Sequence, residues 1–231
     1  MSTDPQAIIA PQPTSTTIGA KLVNMFVCPG LVFDEVIVAA PNAGNWLVPV
    51  VLVCLSSVLA LKASTDPQQI AATIAPMLQA GDLPPQMTAW WQGVSIIALC
   101  VAVCAGTFWS ALVLWLLGKV FLKSQFAFHK ALEVAGLSGT ILVLGAVVTS
   151  LLIAATGNVS ARPALSLLCH DPSTPGNLLR NASLLLDFFH VWVTAVLAVG
   201  LSKLAGVSVK ESAFWVLGYW LVLRIALALL A

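Results

Sequence analysis

The chain has 231 residues, of which 59% are hydrophobic and only 8% are charged. A soluble globular domain carries about 25% charged residues, so too few charged side chains remain here to cover a water-facing surface. The formal net charge of +1 leaves no basic excess for a nucleic-acid partner. The composition therefore predicts an integral membrane protein and excludes a nucleic-acid-binding one.

The first stretch of the chain, residues 1–21, is rich in Pro, Ser, Thr and Gln, a composition typical of a mobile tail. A membrane domain is predicted over residues 22–231. It opens with an amphipathic helix, because Val32, Phe33 and Val36 recur on one face while two acidic residues fall on the other. This helix is predicted to lie along the membrane surface.

Membrane-spanning helices are the next predicted elements. A spanning helix needs about 20 largely apolar residues, because each residue adds about 1.5 Å across a hydrocarbon core of about 30 Å. Five stretches are assigned as spans, at about 46–61, 94–121, 132–156, 184–204 and 213–231. The predicted fold class is all-α: a polytopic membrane bundle of five transmembrane helices with short interfacial helices and no soluble domain.

The lysines and arginines of the short loops predict the orientation of this bundle. With the N-terminus inside, the cytoplasmic side holds Lys21, Lys119, Lys123, Lys130, Lys203 and Lys210. The outer side holds Lys62, Arg162 and Arg180. The excess of basic residues on the first side predicts a cytoplasmic N-terminus and an external C-terminus.

Three ionisable residues are assigned to bilayer depth, namely Asp187, His190 and Arg224, and they form a candidate intramembrane polar site because such side chains are expensive there. Asp187 and His190 are three residues apart and share a helix face. Counted from the turn between the last two spans, Asp187 and Arg224 differ in depth by roughly 7 Å. An Asp187–Arg224 ion pair is therefore predicted, either as a structural pair or as part of a proton or ligand site; the alternative is an Arg224 whose side chain snorkels outward to the membrane surface.

The cysteines suggest no chemistry of their own. Cys169, His170 and Asp171 name the members of a nucleophilic triad, but consecutive residues seldom converge as one. Cys100 and Cys104 share a helix face, yet the sequence shows no second pair to complete a zinc site. We therefore predict no catalytic, cofactor-binding or metal-binding residue.

Small residues recur four apart in two of the predicted spans. Ala102 with Gly106, and Ala135 with Gly139, fit the spacing at which small side chains let two membrane helices approach closely. These pairs predict helix packing rather than a functional site.

Two stretches of the chain together resemble the Yip1 family of small membrane proteins. The first leads into the first span and contains Pro29, Phe33, Pro41, Trp46, Leu47 and Pro49. The second covers the last two spans and contains Asp187, Phe188, Trp192, Gly200 and Leu201. The resemblance extends roughly from Leu22 to the C-terminus, and the style of the sequence is that of a bacterial member.

The resemblance implies a five-span helical domain with a cytoplasmic N-terminus in a bacterial cytoplasmic membrane, and it brings no catalytic residue or cofactor. Eukaryotic relatives bind small prenylated GTPases and work in vesicle trafficking. We therefore expect a non-enzymatic protein that acts through contacts with other membrane proteins or on membrane organisation, with a homo-oligomer left open. The alternative is a small transporter or channel that uses Asp187, His190 and Arg224.

Overall fold

The computed structural model describes residues 16–64, 85–156, 163 and 187–230. Within these ranges the chain forms seven helices: α1 (Ile18–Val27), α2 (Pro29–Val38), α3 (Gly44–Ser64), α4 (Pro85–Val120), α5 (Phe128–Thr156), α6 (Phe188–Ala205) and α7 (Val209–Leu230). The sequence Cys169-His170-Asp171 lies outside the described residues.

Four of these helices are long and apolar enough to cross a membrane: α3 over Gly44–Lys62, α4 over Gly93–Val120, α5 over Phe128–Thr156 and α6 over Phe188–Ala205. The fifth predicted span corresponds to α7, which has 22 residues but carries Lys210, Glu211 and Arg224. The structure thus confirms an all-helical membrane bundle, and its four clear spans are compatible with the predicted five.

The two N-terminal helices are separated by a single residue, Cys28. The first begins at Ile18, where the Thr17 hydroxyl accepts a hydrogen bond from the Ala20 backbone N–H at 3.4 Å. Its first turn therefore includes residues that the sequence analysis assigned to the tail. The second helix begins at Pro29, whose fixed φ and missing N–H suit the first helical position.

The apolar stripe of α2 packs against the bundle rather than facing outward, while the position of this helix along the membrane surface stays a prediction. Val32, Phe33 and Val36 are buried in the core shared with α5 and α6. The approach is close, because a methyl group added at Gly200 of α6 would overlap Val134 and come within 3.3 Å of the Phe33 ring. The periodicity indicates a buried face but not what buries it.

Helix α5 is the centre of the bundle, and it contacts every other described helix except α7 closely. Residues 130–138 are buried without interruption, so this end of α5 is enclosed on all sides. Helix α3 approaches so near that a methyl group at Gly136 would overlap the Trp46 backbone. Because lipid tails are as apolar as the side chains, such van der Waals contact is what holds membrane helices together.

Helix α4 is attached mainly by its C-terminal half. Ala111, Leu114 and Leu117 are buried there, and the Trp109 indole N–H donates to the Tyr219 hydroxyl of α7 at 2.9 Å. The earlier part of the helix exposes most of its apolar side chains. With 36 residues, α4 extends about 54 Å, well beyond a hydrocarbon core of about 30 Å.

Candidate functional site

Asp187 occupies the N-cap of α6 rather than a position within it. Its Oδ1 accepts hydrogen bonds from the backbone N–H groups of Phe189 at 2.8 Å and His190 at 3.4 Å. The same oxygen lies 3.6 Å from His190 Nδ1. The structure therefore brings Asp187 and His190 together, as their spacing indicated, but at the end of the span.

Arg224 has a local partner on its own helix, since its guanidinium lies 5.3 Å from the centroid of the Trp220 ring. Asp187 is already used in capping α6. Among the described residues no ion pair joins Asp187 to Arg224, so the predicted pair is not formed in this structure.

Asp187 and His190 line a groove between α3, α4, α5 and α6. One part of the groove, about 780 Å³, reaches both side chains. A second part, about 400 Å³, continues between the helices. The two parts share Val53, Ala102, Val103, Leu142 and His190. Each part alone lies within the range of ordinary small-molecule pockets, about 300–1,000 Å³.

The groove wall is mostly apolar, because several of its hydroxyl groups donate to backbone carbonyls of their own helices. Thr107, Thr149 and Thr194 donate to residues four positions earlier at 3.0, 2.8 and 2.7 Å. Asp187 and His190 add the ionisable groups at one end of this wall. This arrangement suits an apolar molecule with a polar end.

Two glycines of the predicted packing motifs create this space. Gly106 and Gly139 line the groove, and a methyl group added to either would meet no atom within 4 Å. The prediction that they mark close helix contacts is therefore wrong. The close contact between α5 and α3 occurs instead at Gly136.

A buried carboxylate that the sequence analysis did not single out lies at the opposite end of the bundle. Glu133 is 2% exposed and accepts hydrogen bonds from Asn45 Nδ2 at 2.6 Å and from the Asn42 backbone N–H at 3.3 Å. Lys130 Nζ lies 3.2 Å away. The signal was present, since Glu133 falls inside the apolar stretch predicted as the third span.

Lys130 extends this network to the N-terminal helices. Its ammonium group donates to the carbonyl oxygens of Val36 at 2.7 Å and Ala39 at 2.8 Å, which belong to the C-terminal end of α2. A cation is favourable there because the last carbonyls of a helix carry partial negative charge. The network thus joins the end of α2, the start of α3 and the start of α5.

Further charged pairs attach α1 and α2. Lys21 and Glu35 lie 3.2 Å apart, and Lys203 of α6 lies 2.7 Å from Asp34. Burial alone would raise the pKa of Glu35, but hydrogen bonds from Thr16 and the Lys21 ammonium outweigh it and hold that pKa below its ordinary value. We call this end of the bundle, which holds α1, α2 and the α4–α5 and α6–α7 turns, the lysine-rich end.

Within the described ranges, no three His, Cys, Asp or Glu side chains converge as ligands for a metal ion. Cys28, Cys54, Cys100 and Cys104 are free thiols. The described polar groups thus point to two regions with potential function: the groove that ends at Asp187 and His190, and the lysine-rich end.

A comparison with protein families identifies a Yip1 domain over residues 23–231. Searches of curated proteins and of solved structures gave no match. The domain covers almost the whole chain and includes all seven helices except the first turn and a half of α1. The protein therefore belongs to the Yip1 family.

Proposed function

We propose that the protein is a non-enzymatic Yip1-type membrane protein that acts through protein contacts in membrane organisation or trafficking. The observation that carries this proposal is a fixed apolar surface at the lysine-rich end. Helices α1 and α2 expose Val23, Val27, Leu31 and Val38, each of which is 65 to 85% accessible. We call these four residues the α1–α2 apolar surface.

The α1–α2 apolar surface is held in place from behind. Lys130 binds the end of α2, Lys203 pairs with Asp34, and Phe33 fills the space beneath. A surface that is already ordered loses less conformational entropy when a partner binds. Four apolar side chains on such a support suit a partner helix or loop, in the cytoplasm if the lysine-rich end faces inward as proposed.

Site-specific photo-crosslinking in native membranes tests this proposal. A photoreactive residue at Val27 or Leu31 should give a discrete protein adduct, because both positions lie on the proposed contact surface. The same residue at Leu59, which is 66% exposed on the spanning helix α3, should give none. Adducts with lipid alone from Val27 and Leu31 would show that the surface faces the bilayer and would refute the proposal.

The groove supports a second candidate, a binding or transport site for a small, largely apolar molecule with a polar end. The observation that favours it is that the two parts of the groove adjoin, share five wall residues and reach Asp187 and His190. Asp187→Asn is a suitable variant because asparagine also caps helices well, so the charge is removed while the start of α6 is kept. Transport predicts a solute flux in proteoliposomes that Asp187→Asn abolishes; an equal flux in the variant would exclude it.

A further inference from the structure

A separate cavity of about 590 Å³ lies beside the turn between α4 and α5, at the lysine-rich end. Aromatic and polar side chains share its wall, among them Trp115, Lys119, Ser124, Gln125, Phe126 and Phe128. The connection between two spanning helices lies at the membrane surface, where the phosphate groups of lipids also lie. The cavity therefore combines apolar walls with hydrogen-bond donors at headgroup depth.

The wall of this cavity is held by the local fold of the turn. The backbone N–H and the hydroxyl of Ser124 each bond to the Gly118 carbonyl at 3.0 Å. The Phe126 ring lies against Gly118 so closely that an added methyl group would overlap it. Lys123 adopts a φ of +50°, which is uncommon for a residue other than glycine. These contacts fix the chain path around the cavity.

The charge at this end of the bundle is not balanced. Carboxylates pair with half of its lysines, namely Lys21, Lys130 and Lys203. In the part of the chain that the structure describes, no ion pair reaches the others, namely Lys119, Lys123 and Lys210. Of these, Lys119 lines the cavity, with its ammonium 4.7 Å from the centroid of the Trp115 ring.

We propose that this cavity binds the headgroup of an anionic phospholipid. The Lys119 ammonium, supported by the Trp115 ring, would bind the phosphate, and the exposed Gln125 amide can donate a second hydrogen bond. The aromatic walls would contact the glycerol and the first carbons of the acyl chains. An anionic lipid is favoured over a zwitterionic one because the site offers an ammonium group and no carboxylate.

Native mass spectrometry of the full-length protein in detergent tests this site with phosphatidylglycerol and phosphatidylcholine as probes. Phosphatidylglycerol should bind more tightly than phosphatidylcholine. Lys119→Gln should weaken phosphatidylglycerol binding about fivefold, the effect of one lysine near an anionic lipid, and Lys119→Arg should retain binding. Lys210→Gln is the matched control, because it removes the same charge at the same end but outside the cavity.

Two results would overturn the proposal. An equal loss of phosphatidylglycerol binding in Lys119→Gln and Lys210→Gln would mean that the general charge of this end, not the cavity, attracts lipid. Glycerol 3-phosphate that displaces the lipid at comparable concentration would identify a site for soluble phosphate compounds. Unchanged circular dichroism of each variant establishes that a loss of binding does not reflect unfolding.

Discussion

At the scale of single residues, Gly136 and Gly139 show how neighbouring glycines of one helix differ in their surroundings. A methyl group at Gly136 would overlap the Trp46 backbone, whereas one at Gly139 would enter open space. Backbone atoms cannot move aside as the end of a flexible side chain can. The first glycine therefore sets the distance between α3 and α5, while the second leaves part of the groove open.

Gly136→Ala should consequently lower the free energy of unfolding by about 1–3 kcal/mol, the usual effect of overpacking. Gly139→Ala should be neutral or slightly stabilising, because alanine favours a helix by up to about 1 kcal/mol over glycine. Reversible unfolding by SDS in lipid–detergent micelles measures both values. Equal effects of the two substitutions would contradict the close contact between α3 and α5.

Asp187 gives a second prediction at this scale. Its carboxylate caps α6, so Asp187→Ala should destabilise the protein by about 1 kcal/mol, whereas Asp187→Asn should preserve most of the stability. The same unfolding measurement separates the two variants. If Asp187→Asn lowered the stability as much as Asp187→Ala, the negative charge of Asp187 would contribute more to stability than its capping hydrogen bonds.

The sequence predicted residue contacts only where they are local. The proximity of Asp187 and His190 follows from a spacing of three along one helix, and the structure shows it. Predicting the Asp187–Arg224 pair required knowing how two helices are placed relative to each other. In the structure Asp187 accepts a hydrogen bond from the Phe189 N–H, and Arg224 contacts the Trp220 ring. Glu133 itself was visible inside the third predicted span, but its partner was not, since Asn45 lies 88 residues earlier in the chain.

At the scale of the elements, two lysines hold α2 in place, one in a buried ion pair and the other in an exposed ion pair. Lys130 is 11% exposed in its side chain and pairs with Glu133, which is 2% exposed. Lys203 is 36% exposed and pairs with Asp34, which is 51% exposed. Removing one partner of a buried pair leaves an unpaired buried charge, whereas water screens an exposed pair strongly.

Lys130→Met should therefore destabilise the protein by about 3 kcal/mol or more, and Lys203→Met by less than about 1 kcal/mol. Lys130→Met should also speed hydrogen exchange of the last α2 amides, because the ammonium that holds the end of that helix is lost. Hydrogen exchange with mass spectrometry measures the exchange rates of the α2 backbone amides directly. Similar exchange in both variants would show that Lys130 does not fix the helix.

The attachment of α1 to α2 should depend on pH through Glu35. Its pKa is lower in the folded protein than the ordinary value of 4.5, so the unfolded chain binds the proton more readily. The contribution of Glu35 to stability is therefore complete above about pH 4.5 and is lost as the pH falls through the folded-state pKa.

Comparison with Glu35→Gln isolates this contribution from other carboxyl groups. The variant should be less stable than the wild type near neutral pH, and the difference should vanish in acid, where Glu35 is protonated and resembles glutamine. Unfolding of both proteins across the pH range provides the measurement. A difference that persists at the acid limit would assign the effect to side-chain shape rather than to charge.

At the scale of the whole molecule, length and hydropathy determine most of the fold. The five predicted spans coincide closely with α3 to α7, because a bilayer requires long apolar helices whatever their partners. The arrangement of these helices was less predictable. Small residues at Gly106 and Gly139 match a packing motif, yet they line a groove, because spacing alone does not reveal which neighbour faces a helix.

The orientation of the protein in the membrane is inferred from the distribution of lysines between the two ends of the bundle. The structure gathers Lys21, Lys119, Lys123, Lys130, Lys203 and Lys210 at one end, since their helices meet there. Lys62 ends the spanning part of α3 at the other end, about 27 Å from its start. Basic residues near span ends remain preferentially in the cytoplasm, so we propose that the lysine-rich end faces inward.

Single cysteines placed in a variant without the native ones test this orientation. Both Lys62 and Lys123 are exposed, so a cysteine at either position should react with a maleimide wherever the reagent has access. A membrane-impermeant maleimide should label Lys62→Cys in intact cells but Lys123→Cys only after the membrane is opened. The reverse pattern would place α1 and α2 outside the cell, where no cytoplasmic partner could reach the α1–α2 apolar surface.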